Sequence, residues 1–438
     1  MDPAYIGIIG FLALLILIAL NVPVTIAMAV PGVLGLFYFL GLQGAFEVVT
    51  SQTFTFATTF EFTAVPLFLL MGYTAMNAGL VTAAYSSARI WTAGLPGGLS
   101  MATCLASGVF GACMGSGIPA AAAMARIAIP EMLRYKYDES LAVGSVAASA
   151  TVAVLIPPSV IMVIYAIFTE VSLGKMLLAG YLPGVLSVVI YAAMIGVRVR
   201  LNPQLAPSVS AAAITWGQRI RALKGVWGIA VLFLVLLGGI YTGYFTATEA
   251  AAVGALAAFV MMFITRTFQW SKVKTSFLET LEVTAMALLM LVGSALFAVF
   301  IALSGLPKVL ANWIIAANMP VTLFLIAIAI LYLFLGCLLP TIPMMLVTLP
   351  ILLPVLIDLD VNLIWFGVIF IKMAEVGGIT PPFGISVYVV KGVVGDSIPT
   401  TTIFRGIGWF VAMDFLTVAI LMAFPQISLW LPNLMKTG

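Results

Sequence analysis

Apolar stretches separated by short polar breaks run along the whole chain, and their lengths set the first reading. Windows of helical period, punctuated by glycine, proline and charge, predict full spans at about 4–20, 22–42, 62–80, 138–172, 176–198, 222–242, 245–265, 280–303, 362–395 and 406–424. Two further apolar stretches, about 98–133 and 320–357, break midway at MGSGIP (114–119) and LLPTIP (338–343). A full crossing takes roughly 20 residues, and the arms of these stretches hold only about 15–18. Each is therefore read as a re-entrant helical hairpin, with two ordinary short spans as the alternative.

Two of the full spans carry breaks of their own, SATVAVLIPPS (149–159) and AEVGGITPPFGIS (374–386). Proline removes a backbone donor and clashes with the preceding turn, so a Pro-Pro pair unwinds a helix locally. Broken backbone at membrane depth is tolerated where the freed groups face protein or a water-filled cavity. A plain kink is the simpler reading of one such break. A repeat argues for more than that. Sliding the chain over itself by 224 positions lays FGACMGSGIP (110–119) on FLGCLLPTIP (334–343), Pro130 on Pro354, and Pro157-Pro158 on Pro381-Pro382. Five full crossings plus one hairpin in the first half start the second half on the opposite face, which makes the repeats inverted.

Composition agrees with a polytopic membrane protein. The chain has 438 residues, 63% hydrophobic and 8% charged, where a soluble domain carries about 25% charged residues. The runs are too long and continuous for barrel strands. MDPAYIGIIGFLALLILIAL lacks a basic region and a small-residue cleavage site, so it reads as a retained first span. Cys104, Cys113 and Cys337 lie in apolar segments and suggest small core residues, not a disulfide framework. Placing the basic loop 198–224 inside puts 13 of the 18 Lys and Arg inside and 3 outside, with Arg126 and Lys372 within apolar segments. On this layout both termini face out.

The predicted division is a first inverted repeat, 1–200, with scaffold spans in 4–80, a hairpin at 98–133 and a broken span at 138–172. A cytoplasmic linker, 201–224, follows. The second repeat, 225–438, has scaffold spans in 225–303, a hairpin at 320–357, a broken span at 362–395 and a last span at 406–424. Helices 4–42 and 222–265 are the expected fixed wall, and 50–63 and 85–98 read as amphipathic connectors lying along the interface.

At three stretches the resemblance becomes specific: GSVAASATVAVLIPPSVIMVIY with EVSLGKMLLAGYLPG, GIYTGYFTATEAAAVGA, and FGVIFIKMAEVGGITPPFGISVYVVKG. The chain resembles the large membrane subunit of tripartite ATP-independent periplasmic (TRAP) transporters, the dicarboxylate-transporter M-type family, over nearly its whole length. The resemblance implies an all-α polytopic membrane protein of elevator type in a bacterial inner membrane. It implies sodium-driven import of a small organic acid anion, a carboxylate or a sulfonate. A small membrane subunit of about four spans and a periplasmic substrate-binding protein are the implied partners, beside the lipid bilayer. No nucleic-acid partner is expected. Two motifs depart from the family pattern: the first tip reads MGSGIPAAAA where a Gly-Ser-rich turn is usual, and Ala247 stands in TATEAAA where a proline is usual.

Candidate ligands follow from the breaks. A sodium ion needs several oxygens at once, which hydroxyls and freed carbonyls supply. Gly115, Ser116, Ser149 and Thr151 form the first expected cation site; Pro340, Thr341, Gly377, Gly378 and Thr380 form the second. Glu375 aligns with Thr151 and is a cation ligand, a protonation site or the structural partner of Lys372, its i−3 neighbour. Substrate is expected between the breaks, near Ser116, Ser149, Thr341, Thr380, Pro157 and Pro381, its anionic head drawn by half-helix N-termini or by Lys372 or Arg126. For Arg126 a structural role is the alternative.

Rival functions have less support. The chain has no histidine, no HExxH and no phosphate-binding Gly loop with lysine, so it is read as no enzyme. A self-sufficient sodium/anion symporter or an anion channel of similar architecture stays open at this stage.

Overall fold

The computed structural model describes residues 2–114, 117–207, 214–317, 319–382 and 384–435. Their regular structure is α-helix with short 3-10 turns and no strand. The first half holds α1 (Pro3–Ala19), α2 (Val24–Thr58), α3 (Ala64–Asn77), α4 (Leu80–Thr92), α5 (Gly98–Met114), α6 (Gly117–Arg134), α7 (Glu139–Ala153), α8 (Val160–Phe168) and α9 (Leu173–Leu201). After a short α10 (Trp216–Ala222) come α11 (Trp227–Thr242), α12 (Ala247–Ile264), α13 (Trp270–Ser304), α14 (Leu306–Ala316), α15 (Val321–Leu338), α16 (Thr341–Asp358), α17 (Leu363–Gly377), α18 (Ile385–Val394), α19 (Thr400–Ala423) and α20 (Gln426–Leu434). Seven of these helices are long and apolar enough to cross a membrane, or nine spans if each bent pair counts as one.

The shift of 224 seen in the sequence holds at the level of elements. It lays α1 on α11, α4 on α14, α5 on α15, α6 on α16, α7 on α17, α8 on α18 and α9 on α19. Polar side chains start several helices in both halves. Asp138 caps α7 by accepting from the Leu141 N–H at 3.1 Å, and Asn362 caps its counterpart α17 by accepting from Ile364 and Trp365 N–H at 3.0 and 3.1 Å. Such caps satisfy donors that a helix start leaves free. Where α2 breaks, a single Gly41 takes φ 69; the aligned place in the second half is a full turn between α12 and α13, with Arg266 at φ 56.

The structure refines the predicted spans. Residues 50–58 continue α2, so that connector is not separate. The spans at 62–80 and 222–242 belong to bent pairs, with angles of 63° and 56°. α4, α14 and α20 lie outside the predicted spans because 13, 11 and 9 residues are too short to register as crossings. α15 and α16, at 18 residues each, are as long as the shortest helices that qualify as spans.

Helices α1–α3 and α11–α13 pack together as a wall, with α2 against α13 and α3 against α12. Against it stand the hairpin arms and the broken spans. Small residues allow their closest contacts. A Cβ on Gly377 of α17 would lie 2.7 Å from the Gly336 Cα of α15, and one on Gly406 of α19 only 2.0 Å from the Ser140 carbonyl oxygen at the start of α7. Among the described residues, Ser294 of α13 donates across from wall to hairpin, to the Leu346 carbonyl of α16 at 2.8 Å.

Candidate functional site

The two broken spans form the centre of the molecule. α7 is buried from Leu141 through Ala153 and α17 from Phe366 through Gly377, on every face. A helix buried all round is enclosed by other helices. Both end in the Pro-Pro breaks, and both Pro-Pro peptide bonds are cis. The chain resumes at α8, where Ser159 accepts from the Met162 N–H at 3.4 Å. It resumes at α18 after Gly384, which takes φ 57. The Ser386 N–H donates to the Gly378 carbonyl at 3.0 Å, tying α18 back across its break.

Glu375 sits in the last turn of α17 and is only 9% exposed. Thr341, the first residue of α16, donates its hydroxyl to Oε1 at 2.6 Å. A Cβ added to Gly117, the first residue of α6, would lie 2.6 Å from Oε2. The carboxylate thus stands between the N-termini of the second arms of both hairpins, where free N–H groups favour negative charge. A cavity of about 290 Å³ opens here, lined by Gly117 and Ile118, Pro340 to Pro343, Ala374, Glu375 and Gly378, Ile161, Ile385 and Ser386, and by Val283, Met286, Ala287 and Met290 of the wall.

One turn earlier, Lys372 belongs to a different cluster. Its ammonium pairs with Asp414 of α19 at 2.6 Å, both side chains fully buried. It donates to Thr151 Oγ1 of α7 at 3.1 Å and lies 5.6 Å from the ring centre of Tyr191 of α9. Thr151 in turn meets the Tyr191 hydroxyl at 3.1 Å and Asp414 Oδ2 at 3.4 Å.

Of the residues singled out from the sequence, Pro340, Thr341, Glu375 and Gly378 line the cavity. Gly377 packs against Gly336 instead. Thr380 donates to the Val376 carbonyl at 2.6 Å. Ser149 is engaged with Ser107 at 2.7 Å and with the Val146 carbonyl at 2.8 Å. Pro157 is buried, whereas Pro381 is exposed. Arg126 is exposed on α6 and stands outside the cavity lining. Gly115 and Ser116 lie outside the described residues. The pairing of Lys372 with Glu375 is corrected: the lysine pairs with Asp414 of α19 and donates to Thr151, while Glu375 accepts from Thr341.

Sequence reasoning missed Asp414, Tyr191, Gly117 and Ser386. For Asp414 a signal existed. It is the one acidic residue of the 24-residue helix α19, set in its apolar second half, and such a charge requires a partner.

The site can hold a hard cation through oxygens. Among the described residues no cluster of three or more His, Cys, Asp or Glu exists. Oε2 of Glu375 accepts no hydrogen bond from those residues. The polar side chains of the cavity lining are those of Thr341, Glu375 and Ser386, oxygens of the kind a hard cation takes.

Comparison with known proteins agrees with this architecture. Residues 11–427 match the family model described as Tripartite ATP-independent periplasmic transporter, DctM component. The C4-dicarboxylate TRAP transporter large permease protein DctM of Pseudomonas aeruginosa is 33% identical, covering 90% of this chain and 93% of that protein. The sialic acid TRAP transporter large permease protein SiaM of Vibrio cholerae is 31% identical, over 86% and 87%. The ectoine TRAP transporter large permease protein TeaC of Halomonas elongata is 28% identical, over 95% and 97%. The fold is also similar to that of the Alcanivorax borkumensis YdaH transporter, with TM-score 0.65, 14% identity, and coverage of 97% and 98%. These relatives are transporter permeases, not enzymes. With the family model spanning almost the whole chain, the protein belongs to the DctM family, the large membrane permeases of tripartite ATP-independent periplasmic transporters.

Proposed function

We propose that this chain uses a sodium gradient to import a small organic acid anion, a carboxylate or a sulfonate, handed over by a periplasmic substrate-binding protein. It does so in the bacterial inner membrane beside a small four-span subunit, with both termini periplasmic. The names of the relatives run from C4-dicarboxylates to sialic acid and ectoine, so the substrate is left at the level of a small acid.

The observation that carries this reading is the cavity at Glu375, where a carboxylate faces two helix N-termini and a broken backbone. Sodium binds through Glu375, Thr341 and carbonyls of the second break. The helix N-termini and the bound cation then attract the acid. No lysine or arginine lines the cavity among the described residues, so the ion itself supplies the missing positive charge. In this reading the two repeats are inverted, and the hairpins with the broken spans move as one body past the wall of α1–α3 and α11–α13.

Reconstitution into vesicles tests it. Uptake is expected to require inward sodium, the small subunit and a cognate binding protein, and to fall steeply in Glu375→Gln. Sodium-independent flux would overturn the coupling, and sodium-driven uptake by this chain alone would favour a self-sufficient symporter.

A further inference from the structure

Away from Glu375, a larger cavity of about 670 Å³ opens where α7 and α19 begin and α9 ends. These three helices supply Thr151, Asp414 and Tyr191 to the Lys372 cluster. Arg198 and Arg405 line the cavity together with Asp138 and Glu139. Charges of both signs thus share one space, yet among the described residues neither arginine forms an ion pair. The Arg198 guanidinium lies 5.1 Å from the ring centre of Trp409, which also lines the cavity, a stacking that favours a fixed plane. Its Nη1 is buried with no hydrogen-bond partner among those residues, and such a donor calls for an acceptor. Helix ends extend the pattern. Thr402 lines the cavity from the first turn of α19, whose start has no side-chain cap, so its N–H groups favour an anion. Leu201 and Asn202 line it from the end of α9, the negative end of that helix's dipole.

Separate positive and negative groups around one space fit a zwitterion better than a simple anion, which the two carboxylates would repel. The surroundings point to its source. Trp409 is 53% exposed and Leu201 82%, and tryptophan at the end of a span marks the membrane surface. Val189 and Val197 of α9 and Leu416 of α19 carry the exposed apolar surface onward. We propose that this cavity binds the headgroup of a zwitterionic phospholipid with a primary amine. Its phosphate sits on Arg198 and Arg405, its ammonium on Glu139, and its acyl chains along the exposed faces of α9 and α19. Arginine's planar fork matches a phosphate. Asp138 is already engaged as the cap of α7, which leaves Glu139 for the amine. The bound lipid ties together the ends of the three helices that meet at Lys372. The inference is independent of sodium coupling and of the transported acid.

The experiment follows thermal unfolding of the full-length chain, purified in detergent, as phosphatidylethanolamine, phosphatidylcholine or phosphatidylglycerol with matched acyl chains is added. A ligand of the folded state raises its stability in a saturable way. Phosphatidylethanolamine is expected to raise the unfolding midpoint on the order of 2 °C more than either other lipid. Folded Arg198→Gln/Arg405→Gln should lose that excess. Glu139→Gln should lose it too, and should respond to phosphatidylglycerol more strongly than wild type. Equal responses of the wild type to the three lipids, or an unchanged excess in the double variant, overturn the proposal. The wild-type order of lipids in Glu139→Gln overturns the zwitterionic reading. Soluble phosphoethanolamine at the same concentration is expected to leave the midpoint unmoved; a shift equal to that of the lipid would assign the site to a free phosphate compound and overturn the lipid. Should the double variant fail to fold, Arg405→Gln alone, at an exposed side chain, is expected to lose at least half of the excess. The full wild-type excess in that variant overturns the proposal likewise.

Discussion

The two Pro-Pro breaks share a sequence pattern, a register and a peptide geometry, yet they sit in different surroundings. Around the first, residues 151–160 are all buried. Around the second, Pro381 and Pro382 are exposed, and the adjoining Glu375 and Gly378 line a cavity. The first break lies beside a complete ion pair; the second places a carboxylate oxygen where no donor of the described residues reaches it. Repeated backbone with unequal side chains gives one half a buried ion pair and the other a carboxylate at a cavity.

The sharpest way to break this comparison is to unpair the first half. Asp414→Ala strands the buried Lys372 ammonium, a loss of about 3–5 kcal/mol. The expected result is a steep fall in folded protein by size-exclusion chromatography, largely restored in Lys372→Met/Asp414→Asn. Full stability of Asp414→Ala would show that the first break does not depend on the pair. The second half should answer in transport instead. Glu375→Gln keeps an oxygen for Thr341 but removes the charge, and sodium-activated uptake is expected to drop on the order of tenfold or more with folded yield close to wild type. Equal loss of yield would assign Glu375 a structural role like that of Asp414.

Smaller effects sharpen the contrast. Gly117→Ala places a methyl 2.6 Å from Glu375 Oε2, so the carboxylate must shift. The apparent sodium affinity for uptake is expected to weaken several-fold, and an unchanged sodium curve would count against Oε2 as a ligand. Thr380→Val removes a hydroxyl that bonds the Val376 carbonyl one turn back. Its cost is about 0.5–1.5 kcal/mol, read as a slight fall in the unfolding midpoint.

Much of the helix layout was legible because lipid imposes a length on apolar runs and an accounting on backbone donors. MGSGIP and LLPTIP mark the ends of α5 and α15, and both Pro-Pro pairs fall in breaks between helices. Short helices were less visible: α4 and α14 match each other under the repeat, but neither is long enough to stand out by hydropathy. Side-chain partners were hidden for another reason. The spacing of Lys372 and Glu375 allowed them to touch on one helix, but Lys372 finds its partner 42 residues on, in α19.

The sequence by itself determined that the chain lives in a membrane, that its architecture repeats, and where its helices break. Those properties come from local rules of apolar length, proline chemistry and register, which each segment obeys alone. Which break is sealed and which is open was decided only in the assembled bundle. There the distance between charges on different helices, not their place along the chain, determines whether a buried carboxylate already has its cation.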